Sequence, residues 1–318
     1  MNGVKITVER INALKPLDVV DDELVRQRFI DIYSALWGES EAKAAYEREA
    51  INFRKIIGDS ENLKKCTAFS VFIAFIDLAL CGLTLEPGVK ALAYLQPRKF
   101  KVGLNERGGN VYEGRCCLTI SGYGELVLRP RAGQIRHADN PVIVYEGDDF
   151  SFTDQGDVKK VSYTLNLNHN PEHIVACYLR ITRADGSIDY SVMLESDWKR
   201  LEDYSGKANR YWDNDKRAYI ENANSLYSSG TGGGIDTGFL IAKCIKHAFN
   251  TYPKVRIGKG TSFEADHEPE QEEDIYGVAA GAELTMNNEK VNGAADSFAE
   301  PKNTAAGVTV EPGDDDTF

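Results

Sequence analysis

The 318-residue sequence contains no run of eighteen apolar residues. Its greasiest stretch, residues 69–85, is broken by Asp77 and Gly82, which argues against a membrane span. The opening MNGVKITVER lacks the apolar segment of a secretion signal. None of the six cysteines (Cys66, Cys81, Cys116, Cys117, Cys177, Cys244) forms a Cys-x-x-Cys pair. That speaks against structural zinc and for reduced, mostly buried thiols in a cytoplasm. The glycine-rich SSGTGGG at 228–234 does not end in Gly-Lys-Ser/Thr, so it reads as a loop and not a phosphate cradle. No Ser-His-Asp or Cys-His arrangement stands out. His169 and His173 are four apart, but Pro171 breaks the helix that a two-histidine metal face needs. Asp148, Asp149, Asp213 and Asp215 read as surface acids, with a magnesium site as the alternative.

An excess of positive charge is also missing, since the net charge is −12. From Gly258 onward there are three Lys/Arg against fifteen Asp/Glu, and residues 1–257 carry 34 of each sign. The acidity therefore belongs to the C-terminal segment, and any basic groove in the body must be local.

What is present is patterned. Val25, Phe29, Ile32, Tyr33 and Leu36 mark one helical face. A second helix is expected from an N-cap at Ser40 to Ile57, and a third, apolar nearly all round, from Thr67 to Gly82. The period then changes. Strands are expected at 91–95, 98–102, 115–120, 142–145, 150–153, 174–182 and 188–194. NERGGN at 105–110 reads as a hairpin tip, and Ala184-Asp185-Gly186 as a turn. Helices are expected after Gly122, from Ser196 to Leu201 and from Phe239 to Asn250. From Gly258 the periodicity is lost, and the composition predicts disorder. The fold class is α+β: a helical N-terminal part, a central antiparallel sheet with a buried helix, and a disordered acidic tail. The expected divisions are 1–60, 61–257 and 258–318.

Four basic clusters carry the chemistry. Tyr94, Arg98, Lys99, Phe100 and Lys101 suit a phosphate track on a strand, or an ordinary solvated hairpin; Lys99 and Lys101 share strand parity. Arg129, Arg131 and Arg136, with Tyr123 nearby, suit DNA contact or the capping of helix carbonyls. Lys199, Arg200, Lys207, Arg210, Lys216 and Arg217 alternate with Tyr204, Tyr211 and Trp212, a pattern suited to single strands. Asp203, Asp213 and Asp215 lie among them, so local salt bridges are the alternative. Lys243 and Lys246 lie on the closing helix, where a solvated face is the other reading.

Five segments in order resemble the RecT family of phage single-strand annealing proteins. They are GLTLEPGVKALAYLQPRK with its preceding helix, LTISGYGELVLRPRAGQI, VIVYEGDDFSF, His169-Asn170-Pro171 with VACYLRITRADG, and IAKCIKHAFNTYP. The resemblance covers roughly residues 60–255. Pro130 departs from it, because an interior proline costs about 3 kcal/mol in a helix, and an early end or kink is expected there. Lys243-Cys244 stands where the family shows Lys-Lys-Thr. The resemblance implies a RecT/Redβ-like core that binds single-stranded DNA and pairs complementary strands without ATP. It implies a ring or helical filament of identical subunits, a phage 5′→3′ exonuclease as partner, and a bacterial cytoplasm. It places DNA contacts at Tyr94, Arg98, Lys99, Lys101, Tyr123, Arg129, Arg131, Arg136, Lys199, Lys207, Arg210, Arg217, Lys243 and Lys246. No cofactor is required, although magnesium can assist annealing. A protein that only protects single strands is the alternative.

The chain ends in Asp314-Asp315-Asp316-Thr317-Phe318. Acids followed by a terminal phenylalanine resemble the tip of bacterial single-strand-binding proteins. Asp314, Asp315, Asp316 and Phe318 are thus candidates for docking host single-strand-DNA machinery. The alternative is a generic acidic tail that shields the groove.

Overall fold

The computed structural model describes residues 6–156 and 158–253. The expected tail, with Asp314, Asp315, Asp316 and Phe318, lies outside the described residues.

Five helices open the chain: α1 (Val8–Asn12), α2 (Glu23–Trp37), α3 (Glu39–Asp59), α4 (Glu61–Lys64) and α5 (Ala68–Cys81). The Asp22 carboxylate starts α2 by accepting the Leu24 and Val25 N–H groups. α3 starts two residues earlier than expected. Gly38, at φ +113°, is its cap, and Ser40 lies inside the first turn. α5 has the bounds its sequence suggests. The Thr67 hydroxyl accepts the Ser70 N–H, and Gly82 ends the helix in the left-handed region. Gly82 is also needed for space, since a Cβ there would lie 2.5 Å from the Trp37 ring. α5 is the centre of a first core. Its Phe75 stacks on Phe29 at 4.5 Å and meets Phe53 edge-on at 4.8 Å.

The next element is an antiparallel ribbon of β1 (Ala93–Leu104) and β2 (Asn110–Ile120). Its inner end packs on α5. The sequence reads Pro97 as a gap between two strands, yet β1 runs straight through it. Pro97 faces Cys116, whose N–H donates sideways to the Ser70 hydroxyl at 2.8 Å. The pair is thus one that makes no bond across the ribbon, and the missing proline N–H costs no ladder bond.

α6 (Gly122–Arg131) then leads into β3 (Ile135–Ala138), β4 (Val142–Glu146), β5 (Asp149–Gln155), β6 (Val158–Thr164), β7 (Asn170–Arg183) and β8 (Ile188–Leu194). α7 (Glu195–Ala208), β9 (Tyr211–Asp213), β10 (Ala218–Ile220) and α8 (Thr237–Phe249) complete the described chain. Pro130 lies in the last turn of α6, which ends one residue later. β7 is the spine of a four-stranded sheet, with β8 on one edge and β3 and β4 in succession along the other. One face, with Cys177, Leu179, Ile181 and Met193, packs against Trp198, Leu240 and Ile245 of α7 and α8 as a second core. The other face meets the β5–β6 hairpin, where Phe150 stacks on Tyr178 at 5.6 Å.

All the pairings are antiparallel, and the class is α+β. The strands form one four-stranded sheet and three two-stranded ribbons, and α5 lies against a ribbon, not the larger sheet. The helices before residue 60 share the first core with α5, β1 and β2, so they are not a separate packing unit. α6 joins the two cores: Leu128 is buried in the first, while Tyr123 and Leu126 pack on the second. Among the described residues, no helix is long and apolar enough to cross a membrane.

Candidate nucleic-acid interface

The β1–β2 ribbon carries the first basic cluster and sorts it onto two faces. Lys99 and Lys101 lie on the same side, opposite Gly114 and Tyr112, as their parity predicts. Burial lowers the Lys99 pKa from its ordinary value. Tyr94, Gln96, Arg98 and Phe100 point to the other side. There, Arg98 stands directly opposite Arg115. Like charges in directly opposed strand positions are destabilising unless a counter-charge lies near. The Arg115 guanidinium lies over the Phe100 ring at 4.7 Å and pairs with Glu113 at 2.8 Å.

This face extends towards α6. Tyr94 is pushed up to about 12 by burial, with the neighbouring Tyr123 adding to the shift. Tyr123 is raised by burial as well. Lys90 sits over the Tyr123 ring at 5.8 Å. The sequence reading missed Lys90 and Arg115. Arg115 was legible from the register of the hairpin, whereas Lys90 lies in a turn whose path no periodicity records.

The second cluster is largely committed to the protein. Arg129 is 5% exposed. It donates to Glu125 at 2.8 Å, Gln134 at 2.6 Å and the carbonyls of Pro253 and Phe249 at 2.8 and 3.4 Å. Its plane also lies over Phe249 at 5.1 Å. Arg129 therefore caps the end of α8, the alternative reading of this cluster. Arg131 donates to the Gly82 carbonyl and lies over Trp37 at 5.3 Å. Arg136 donates to the Ala184 carbonyl in the β7–β8 turn. Both remain exposed on their outer sides.

The third cluster is split. Lys199 pairs with Glu195 at 2.7 Å, one turn away on α7, and this raises its pKa. Lys207, Arg210 and Arg217 are exposed around the β9–β10 ribbon. That ribbon displays Tyr211, Trp212 and Tyr219, each more than 40% exposed. Trp212 meets Tyr219 edge-on at 5.1 Å, and Arg210 lies over Tyr219 at 5.1 Å. Asp213 holds the turn by accepting the Asp215 and Lys216 N–H groups. On α8 both lysines hold partners within the protein. Lys243 is 8% exposed with its ammonium over the Phe239 ring at 4.9 Å, and Lys246 turns inward to Glu125 at 3.4 Å. α8 turns an apolar face to the second core; Lys243 is buried beside it, while Lys246 is only partly covered.

The acids do not assemble a metal centre. Asp148 is fully covered. Its carboxylate accepts from the Tyr145 and Asn166 N–H groups and the Tyr163 hydroxyl, and it contacts His169 Nδ1 at 3.0 Å. Burial alone would raise its pKa; these hydrogen bonds prevail and hold it at about 2. His173 instead bridges Glu146 and Glu195, which raises its pKa. Among the described residues, no three His, Cys, Asp or Glu side chains are grouped to hold a metal.

Cations interleaved with exposed rings on antiparallel ribbons form a nucleic-acid-binding kind of surface. A model of the RecT family matches residues 48–221, more than half of the chain, and the chain belongs to the RecT family. The family is one of phage recombination by single-strand annealing. The match begins inside α3 and ends just after β10, so α8 lies beyond it. A search of curated proteins returns no match.

Proposed function

We propose that this chain pairs complementary single strands without nucleotide hydrolysis, holding one strand along the β1–β2 ribbon while a second samples it. The opposition of Arg98 and Arg115 on the ribbon face that also carries Tyr94 and Phe100 carries this reading. Annealing makes and breaks no covalent bond. It needs phosphates held and base edges left readable, which cations and ring faces supply. Lys99 and Lys101 on the opposite side give the ribbon a second basic face. The exposed rings of β9–β10, with Lys207, Arg210 and Arg217 around them, offer a separate surface on which bases can stack. Arg131, Arg136 and Lys199 are secondary contacts, each already holding a protein partner.

No cofactor enters this mechanism. Family membership supports assembly into a ring or filament on DNA, a 5′→3′ exonuclease that supplies the single strands, and host single-strand-DNA proteins as partners.

The test is annealing of two complementary fluorescent oligonucleotides without ATP across a salt series. Wild type is expected to pair them faster than protein-free DNA, with the rate falling as salt rises. Arg98→Ala/Arg115→Ala is expected to reduce the salt slope of single-strand binding by about 2, one per phosphate contact removed. Tight binding with no acceleration of pairing would make the chain a protective single-strand binder instead.

A further inference from the structure

Away from the β1–β2 ribbon, the outer face of β7 and β8 holds a cavity of about 240 Å³. Tyr178 and Arg180 of β7 and Tyr190 of β8 form its floor, Tyr163 of β6 overhangs it, and Asp139 and Asn140 of the β3–β4 link close one side. The rings are held in place. Tyr178 lies between Phe150, stacked at 5.6 Å, and Tyr163, edge-on at 6.0 Å. The Tyr163 hydroxyl is tied to Asp148 at 3.1 Å. Arg180 pairs with Asp139 at 3.2 Å, and the Asp139 N–H donates back to the Arg180 carbonyl at 2.9 Å.

Size, charge and wall chemistry point to one kind of guest. Drug-sized ligands occupy pockets of about 300–1,000 Å³, so this cavity suits a single flat ring system. Asp139 balances the Arg180 charge, which makes the site a poor one for a bare phosphate. Three tyrosine rings in the lining favour a π-system, while guanidinium, carboxylate and amide groups offer donors and acceptors to its edge. We propose that this cavity takes one unstacked nucleobase of the bound single strand. The proposal rests on the single-strand-binding function above and adds a specific contact to it.

A base in a duplex is paired and stacked, so it cannot enter without being extruded. The cavity therefore distinguishes single strand from duplex, which phosphate contacts alone do poorly. Pairing withdraws the base and frees the site. Asn140, with both a donor and an acceptor, makes the cavity tolerant of base identity.

The first test uses the wild-type protein and oligothymidine carrying 5-iodouracil, irradiated, with the cross-linked residues mapped by mass spectrometry. Cross-links are expected at Tyr163, Tyr178 or Tyr190. The second compares Tyr190→Leu with wild type by anisotropy on oligothymidine and on an abasic oligomer of equal length, with a thermal melt to check folding. Binding to oligothymidine is expected to weaken about ten-fold, and binding to the abasic oligomer to stay unchanged. Absence of cross-links to all three tyrosines, or equal weakening on both oligomers, would overturn the cavity while leaving annealing intact. If wild type bound neither oligomer, the single-strand-binding function itself would fail, and the cavity with it.

Discussion

At the scale of single residues, charge type is a poor guide to destination. Arg129 and Lys101 are both cations that the sequence offers as DNA contacts, yet one is buried against carbonyls and the other projects into solvent. The reason is distance along the chain: the Arg129 carbonyl partner at Pro253 is 124 residues away, beyond any local pattern. Arg129→Ala is expected to destabilise the protein by about 1–3 kcal/mol, because it removes the cap on the Phe249 carbonyl and leaves Glu125 with Lys246 alone. The salt slope of DNA binding should stay unchanged, and urea unfolding beside binding titrations checks both. Asp148 behaves oppositely to a surface acid. Its folded pKa, about 2, lies below the ordinary 3.8. The stabilisation is present above the ordinary value and is lost as pH falls through about 2. Denaturant unfolding between pH 5 and pH 2 should therefore show a loss of stability over roughly that window, flattened in Asp148→Asn.

At the scale of elements, legibility follows local signals. α5 could be bounded from Thr67 and Gly82 because a cap and a left-handed terminator are both chain-local. β7 and β8 could be read from their apolar runs and the turn between them. β6 was missed because Lys159 occupies an inward position, paired with Asp189 at 2.9 Å, where an apolar residue would have completed the alternation. β9 and β10 were missed because three-residue strands of exposed rings have no buried face to reveal them. The Gly-Tyr-Gly segment was legible as a motif, but its reason was not. A Cβ at Gly122 would lie 2.7 Å from the Ala242 carbonyl oxygen, and one at Gly124 would overlap the Leu92 carbonyl. These glycines let α6 approach α8 on one side and the entry to β1 on the other. Helix propensity alone predicts that Gly122→Ala stabilises α6 by up to about 1 kcal/mol. The close approach reverses the sign, and a destabilisation of about 1–3 kcal/mol is expected by equilibrium urea unfolding.

At the scale of the whole molecule, two cores share α6, so the β1–β2 ribbon and the sheet with its cavity are joined through one helix. The α+β class was legible because helical and strand periods occupy separate stretches. The division into two cores was not, since residues before 60 and after 93 meet only in three dimensions. One consequence concerns solubility. Among the described residues no strand lies on the outer edge of β1, so that edge is a template for another strand. Pro97 removes the backbone donor in its middle and points that gap outward. The bare edge is thereby blunted against pairing with the edge of another copy. Pro97→Val should leave the fold intact yet raise light scattering on concentration in the absence of DNA, and an unchanged scattering profile would assign that protection elsewhere.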